Sequence, residues 1–270
     1  MIKEQISILG CGWLGLEFAK NLLTENYIVK GSTTSENKIH ELKKTGIQPF
    51  EIQLFEDEIQ GKISEFLKGS SVLLINIPPG LRKQPELDYV AKMQNLIEAI
   101  TQSKIQKVIY ISSTSIFNDT KNFPTYLENY EFSSSEIQNN QLIQVEENFR
   151  NQQNFKTTIV RFGGLVGGDR HPVKYLAGRK AIQNPLAPVN LIHRNNCIKL
   201  LKAILEQQAF GDVFHGVENI QANKAVFYKY AAMEFNLETP QFDTTRESIG
   251  KKIDTKTTRM KLNIEFKNLV

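Results

Sequence analysis

At 270 residues, 40% apolar and 23% charged, the chain has the composition of an ordinary globular protein, long enough for one α/β domain or a large and a small lobe. Its net charge of +4 is spread along the chain, and the Lys43-Lys44 and Lys251-Lys252 pairs are short. That argues against nucleic acid as a partner, and no apolar run approaches the ~20 residues of a membrane span. The two cysteines, Cys11 and Cys197, have no metal-ligand spacing around them and read as free thiols in a reducing compartment. With no signal-peptide pattern at the start, the expected location is cytoplasmic.

The first apolar run, residues 6–9, enters Gly10-Cys-Gly-Trp-Leu-Gly15, and a helical pattern follows over 13–23. Three glycines spaced G-x-G-x-x-G between a strand and a helix suit a dinucleotide pyrophosphate. The first permits a tight turn, the second admits the phosphates, and the third lets the helix pack on its strand. The expected binding groups are Gly10, Gly12, Trp13, Leu14 and Gly15. Further strands are expected at 27–32, 47–54, 72–77 and 108–112, with helices at 36–44, 59–67 and 87–101. Runs such as Val72-Leu-Leu-Ile75 are apolar on both faces, as parallel strands covered on each side require. The alternation predicts an α/β fold with a doubly wound parallel sheet, whose ligands sit at the carboxyl ends of the strands.

Those strand ends carry the candidate chemistry. After the second strand comes Gly31-Ser-Thr-Thr-Ser35, without the acidic residue that usually binds both ribose hydroxyls of NAD. Hydroxyls of Ser32, Thr33, Thr34 and Ser35, with Lys38 one turn later, suit a 2′-phosphate, so NADP is favoured and NAD stays possible. Ser35 also reads as a helix N-cap. Asn76-Ile-Pro-Pro-Gly80 is a stiff turn, in which Asn76, Ile77 and Pro78 would border the adenosine and ribose. The next strand ends in Ser112-Ser-Thr-Ser115, four hydroxyls near the expected nicotinamide. Beyond a polar stretch at 118–141, the pattern predicts a helix over 136–150, a strand over 157–162, a helix over 195–206, a strand over 213–217 and a helix over 224–235.

The loop 10–15, the Pro78-Pro79-Gly80 turn, Ile111-Ser-Ser-Thr-Ser-Ile-Phe117, Arg161-Phe-Gly-Gly-Leu-Val-Gly167 and Val189-Asn-Leu-Ile-His193 occur in this order. Together they resemble the extended and atypical short-chain dehydrogenase/reductases, nearest the NAD-dependent epimerase/dehydratase branch and, within it, a bacterial YeeZ-like group. The resemblance spans nearly the whole chain and thins after about residue 242. It implies a Rossmann domain over 1–165 and a small substrate-binding lobe over 166–270 that shares part of the last sheet strands. It also implies cofactor contacts at Ser112 and Gly163 and a substrate hydroxyl at Ser113. Thr114, Arg170, Asn190 and His193 are placed around a small polar or sugar-like substrate.

The family's usual proton donor is a tyrosine with a lysine four residues later. The ammonium lowers the phenol pKa and holds the ribose. One alignment register puts Gln138 and Leu142 at these places, and the next puts Asn139 and Ile143 there. Tyr126, Tyr130 and His171 are the remaining candidates for the proton-carrying group. An oxidoreductase or epimerase-like enzyme and a catalytically inactive cofactor sensor both follow from these residues. No metal is expected, and the chain is read as a monomer or homodimer.

Overall fold

The structure, a computed structural model, describes residues 3–266. It begins with β1 (Gln5–Leu9), α1 (Gly15–Thr24), β2 (Ile28–Thr33), α2 (Glu36–Lys44), β3 (Gln48–Leu54), β4 (Ile59–Gly61), α3 (Ile63–Leu67), β5 (Val72–Ile75) and α4 (Tyr89–Thr101). It continues through β6 (Lys107–Ser113), β7 (Thr125–Tyr126), α5 (Ser134–Gln138), α6 (Gln141–Arg150), β8 (Lys156–Phe162), β9 (Gly164–Val166) and α7 (Val173–Leu176). The last elements are β10 (Leu191–His193), α8 (Arg194–Glu206), β11 (Val213–Gly216), α9 (Lys224–Glu234), β12 (Lys252–Ile253) and α10 (Lys256–Leu262). Eight strands form one sheet in the order β11-β8-β6-β5-β1-β2-β3-β4. β1 pairs in parallel with both β2 and β5, and β2–β3 and β5–β6 are also parallel. The chain winds outward one way from β1 to β3 and the other way from β5, so the order reverses between β1 and β5. The sheet is the expected doubly wound one, mostly parallel, with an antiparallel edge where β4 returns along β3.

Two compact units divide the chain. One is drawn from residues 3–112, 131–160 and 208–213, and the other from 113–130, 161–207 and 214–266. In the first, Val72, Leu73, Leu74 and Ile75 are all fully buried, as a central strand covered on both faces must be. Against Leu73 and Ile75 pack Met93, Leu96, Ile97 and Ile100, one stripe of α4 at helical spacing, with Val145 and Phe149 of α6. Asp88 caps α4 by accepting from Ala91 N.

Two sequence expectations change here. The helix expected over 59–67 is β4 followed by the single turn of α3. The chain turns at 55–58 and returns along β3 as a hairpin, and at the end of β4 Gly61 (φ +105) comes so close to the Glu51 carbonyl that a Cβ would run into it. The helix expected over 136–150 is two helices. Asn139 ends α5, and Asn140 caps α6 by accepting from Leu142 N at 3.0 Å.

The second unit holds two short parallel pairs, β9 with β10 and β7 with β12. Its apolar cluster joins Val166, Val173, Val189 and Leu191 to Phe227, Tyr228, Ala231 and Ala232 of α9.

Candidate functional site

In the first unit, three strand ends meet at the glycine-rich loop. Gly10 has φ +100, and a Cβ on it would collide with the Asn76 carbonyl after β5. Its N–H donates to Ser32 Oγ at 2.9 Å, and its carbonyl accepts from Asn76 Nδ2 at 3.0 Å. Cys11 N donates to the Ser32 carbonyl at 2.8 Å. A Cβ on Gly15 would strike the Gly10 carbonyl, so α1 packs as close to the loop as its backbone allows. Gly12 differs: nothing lies within 4 Å of where its Cβ would stand. Two of the glycines are needed for packing and the middle one faces open space, which is the room that a pyrophosphate backbone needs. No side chain caps α1, so the loop leads into an uncapped helix N-terminus. The side chain of Leu14 is buried in the core, so only its backbone can serve a ligand.

The corner after β2 is less uniform than its composition implies. Ser32 is buried, and its oxygen is occupied by Gly10 N–H, which removes it from the row of expected phosphate hydroxyls. Thr33 is also buried, and its Oγ1 accepts from Ser35 N at 3.2 Å. Thr34 and Lys38 are exposed, and Ser35 holds the N-cap position of α2 without a side-chain bond into the helix. Ser112 is buried at the end of β6 and donates from Oγ to Glu146 Oε1 at 2.5 Å. Tyr110 joins the same interior through its hydroxyl, 3.1 Å from that of Tyr89, and burial pushes both phenols up. In the sequence Glu146 falls within the helix expected over 136–150 and is not among the candidate site residues. Its burial marks it as the group that fixes the Ser112 hydroxyl. Of the residues aligned with a tyrosine and lysine, Gln138 ends α5, Leu142 packs against the main core and Ile143 is buried.

In the second unit, Ser113 caps a single 3-10 turn over Thr114–Ile116, its Oγ accepting from Ser115 N at 3.1 Å, and Thr114 is buried. Tyr126 and Tyr130 stand together, with ring centroids 5.0 Å apart, and both lie against Phe117. The Tyr126 hydroxyl donates to the Asn118 carbonyl at 3.1 Å. His171 is not gathered with them by any of these contacts. Its ring packs near Phe227 and Phe235, and its Nδ1 accepts from Val173 N at 3.2 Å, so burial lowers its pKa. Arg170 is exposed. A Cβ on Gly163 would come within 2.6 Å of the Asn190 carbonyl, which accepts from Gly164 N. Asn190 Nδ2 donates to the Lys251 carbonyl at 2.9 Å. His193 caps α8, its Nδ1 accepting from Asn195 N at 3.1 Å.

Behind Phe117 the second unit buries Arg161, whose guanidinium carbon is 5.3 Å from the ring centroid. The His215 ring is fully buried beside it. His215 Nδ1 is 3.0 Å from the Asp254 carbonyl, which can only accept, so Nδ1 carries the proton and Nε2 faces Arg161 Nη1 at 3.5 Å. Burial, and then the neighbouring guanidinium, lower the His215 pKa to about 3.

A cavity of about 630 Å³ also lies in this unit, walled by residues 217–223 after β11, by the β12 segment and by residues 186–190. Glu218 lines it and is buried. Its Oε1 accepts from His193 N at 2.8 Å and Asn196 Nδ2 at 2.6 Å, while Oε2 has no partner among the described residues. Arg259 lines the same cavity, with its Nε buried and equally unpartnered. Neither residue was singled out in the sequence, because a glutamate and an arginine 41 positions apart (259 − 218) carry no motif.

No group of three or more His, Cys, Asp or Glu that could hold a metal ion occurs among the described residues, and no described helix is long and apolar enough to cross a membrane. A family model described as NAD(P)H-binding matches residues 10–204. Protein YeeZ of Escherichia coli K12 is 26% identical over 268 residues, covering 97% of this chain and 96% of that protein. The UDP-glucuronic acid 4-epimerase of Bacillus cereus, solved in complex with NAD, superposes with a TM-score of 0.72 at 16% identity over 98% of this chain and 94% of its own. A short-chain dehydrogenase/reductase superfamily protein of Agrobacterium tumefaciens with bound NAD gives a TM-score of 0.73 at 15% identity, over 98% of this chain and 93% of its own.

Proposed function

We propose, because this chain belongs to the NAD(P)H-binding family, that it is a nicotinamide-dependent oxidoreductase or epimerase-like enzyme acting on a small polar or sugar-like substrate. The observation that carries the reading is the contrast inside the loop: Gly10 and Gly15 are sterically required, while Gly12 opens onto free space. The backbone of Gly10, Gly12, Trp13, Leu14 and Gly15 would hold the pyrophosphate. Asn76, Ile77 and Pro78 would flank the adenosine ribose, and Ser112 and Gly163 would border the nicotinamide. When bound, that group supplies or accepts the hydride. Ser113 would orient the substrate oxygen by a hydrogen bond, and Tyr126 or Tyr130 would carry the proton. Both are phenols, which suits general acid chemistry at a carbonyl oxygen. His171 Nδ1 is committed to Val173 N, and the Tyr126 hydroxyl to the Asn118 carbonyl, so either would have to release that bond to act.

Thr34, Ser35 and Lys38 would receive a 2′-phosphate, so NADP is preferred over NAD. Lys38→Ala should then weaken NADPH binding far more than NADH binding, and equal losses in a fluorescence titration would refute the preference. The activity is tested by NADPH consumption over a broad panel of carbonyl substrates. Tight cofactor binding with no turnover on any of them would leave the second reading, a binding protein without catalysis. One expectation favours that alternative: Gln138 and Leu142 in one register, or Asn139 and Ile143 in the next, would stand where relatives are expected to carry tyrosine and lysine, and Leu142 packs against the core while Ile143 is buried.

A further inference from the structure

We propose that the outward face of α9 is the contact surface for a second copy of this chain, the two α9 helices lying side by side in parallel about a two-fold axis. A helix on a folded core turns polar residues to solvent, as α4 does with Gln94 and Glu98 and α8 with Asn195, Lys199 and Glu206. α9 departs from this pattern. It buries Phe227, Tyr228, Ala231 and Ala232, and on its other face it leaves Val226, Tyr230 and Met233 exposed by 43%, 61% and 59%. A helix apolar on both faces is one that is covered on both.

The spacing and the charges of that face identify its cover. Val226, Tyr230 and Met233 follow one another at intervals of four and then three residues, the d, a and d positions of a seam between two helices. Lys229 falls at the g position on one flank of the seam and Glu234 at the e position on the other. Both are exposed, and no ion pair among the described residues engages either. In a parallel pair the g residue of one helix faces the e residue of the next heptad in the other, so Lys229 of each copy meets Glu234 of its mate, twice by symmetry. An antiparallel pair would instead set lysine beside lysine and glutamate beside glutamate. The face thus complements a copy of itself, as a two-fold contact requires, and its charges fix the direction of the pairing. Three turns of helix on each side bury on the order of 1,000 Å² in total, the small end of specific interfaces, so dissociation in the micromolar range is expected. The inference needs nothing from the cofactor reading.

Sedimentation velocity of the full chain between about 1 and about 200 μM should show a monomer–dimer equilibrium. Tyr230→Glu, at an exposed position, should weaken the dimer about tenfold while leaving the fold intact. Lys229→Glu and Glu234→Lys should each weaken it several-fold, because like charges then meet on both flanks. Mixed in equal amounts, those two variants should associate again, since each introduced charge faces its opposite. Met233→Cys should form a disulfide between copies under mild oxidation, both native cysteines being buried, whereas an antiparallel pair would set Met233 against Tyr230 and give none. A monomer at every concentration would give the face to a different protein and overturn the pairing. So would a dimer that Tyr230→Glu leaves unchanged, or one that the mixture of charge variants does not restore.

Discussion

Glycines that look alike in a motif are asked to do different things, and substitution separates them. Gly10 sits at φ +100 against the Asn76 carbonyl, so Gly10→Ala must move backbone and should cost about 1–3 kcal/mol, lowering the melting temperature by several degrees. Gly12 has open space around its missing side chain. Gly12→Asp should leave the melting temperature within a degree or two, yet reduce NADPH affinity at least tenfold by setting a carboxylate against the pyrophosphate. Unchanged affinity in that variant would remove the loop from the binding account. The spacing of the glycines was readable in the sequence because each answers a local backbone need. The role of Ser32 was not, because its hydroxyl is claimed by Gly10, 22 positions earlier, and strand pairing alone brings the two together.

Among elements, the break between α5 and α6 has a purpose that no helical periodicity records. It delivers Gln141 to the start of α4, where its Oε1 accepts from Tyr89 N at 2.6 Å and Val90 N at 3.3 Å, and its Nε2 donates to the Leu87 carbonyl at 3.0 Å. The two N–H groups are among those that a helix N-terminus leaves without intrahelical partners. Gln141→Leu should cost about 1–3 kcal/mol in urea unfolding, and a loss below a few tenths would mean that solvent replaces the glutamine. Apolar periodicity located α1, α2, α4 and α8 because one face of each is buried. It failed at 59–67, where Ile59 and Ile63 belong to different elements, the strand β4 that ends at Gly61 and the turn of α3. The walls of the second-unit cavity were hidden for a related reason. They come from loops, from the short β7–β12 pair and from α10, segments far apart in the chain that share no repeat.

For the molecule as a whole, the reversal of strand order between β1 and β5 puts the glycine loop where open α/β sheets bind their ligands. Acid should act first through the second unit. His215 keeps a folded-state pKa of about 3, against 6.5 for an unburied histidine, so between these values the unfolded chain binds the extra proton. Stability is therefore retained above pH 6.5 and lost as the pH falls toward 3, by up to about 1.4 kcal/mol per pH unit. Urea midpoints measured from pH 7 to 4 should fall more steeply for wild type than for His215→Gln. Parallel profiles would assign the acid sensitivity to other groups. The two free cysteines divide between the units, Cys11 in the first and Cys197 in the second, and both thiols are buried with their ionisation pushed upward, Cys11 to about 12. Neither can be alkylated until its surroundings open. Timed exposure to iodoacetamide, read peptide by peptide in a mass spectrometer, thus gives two independent clocks without an introduced label, one for the breathing of each half.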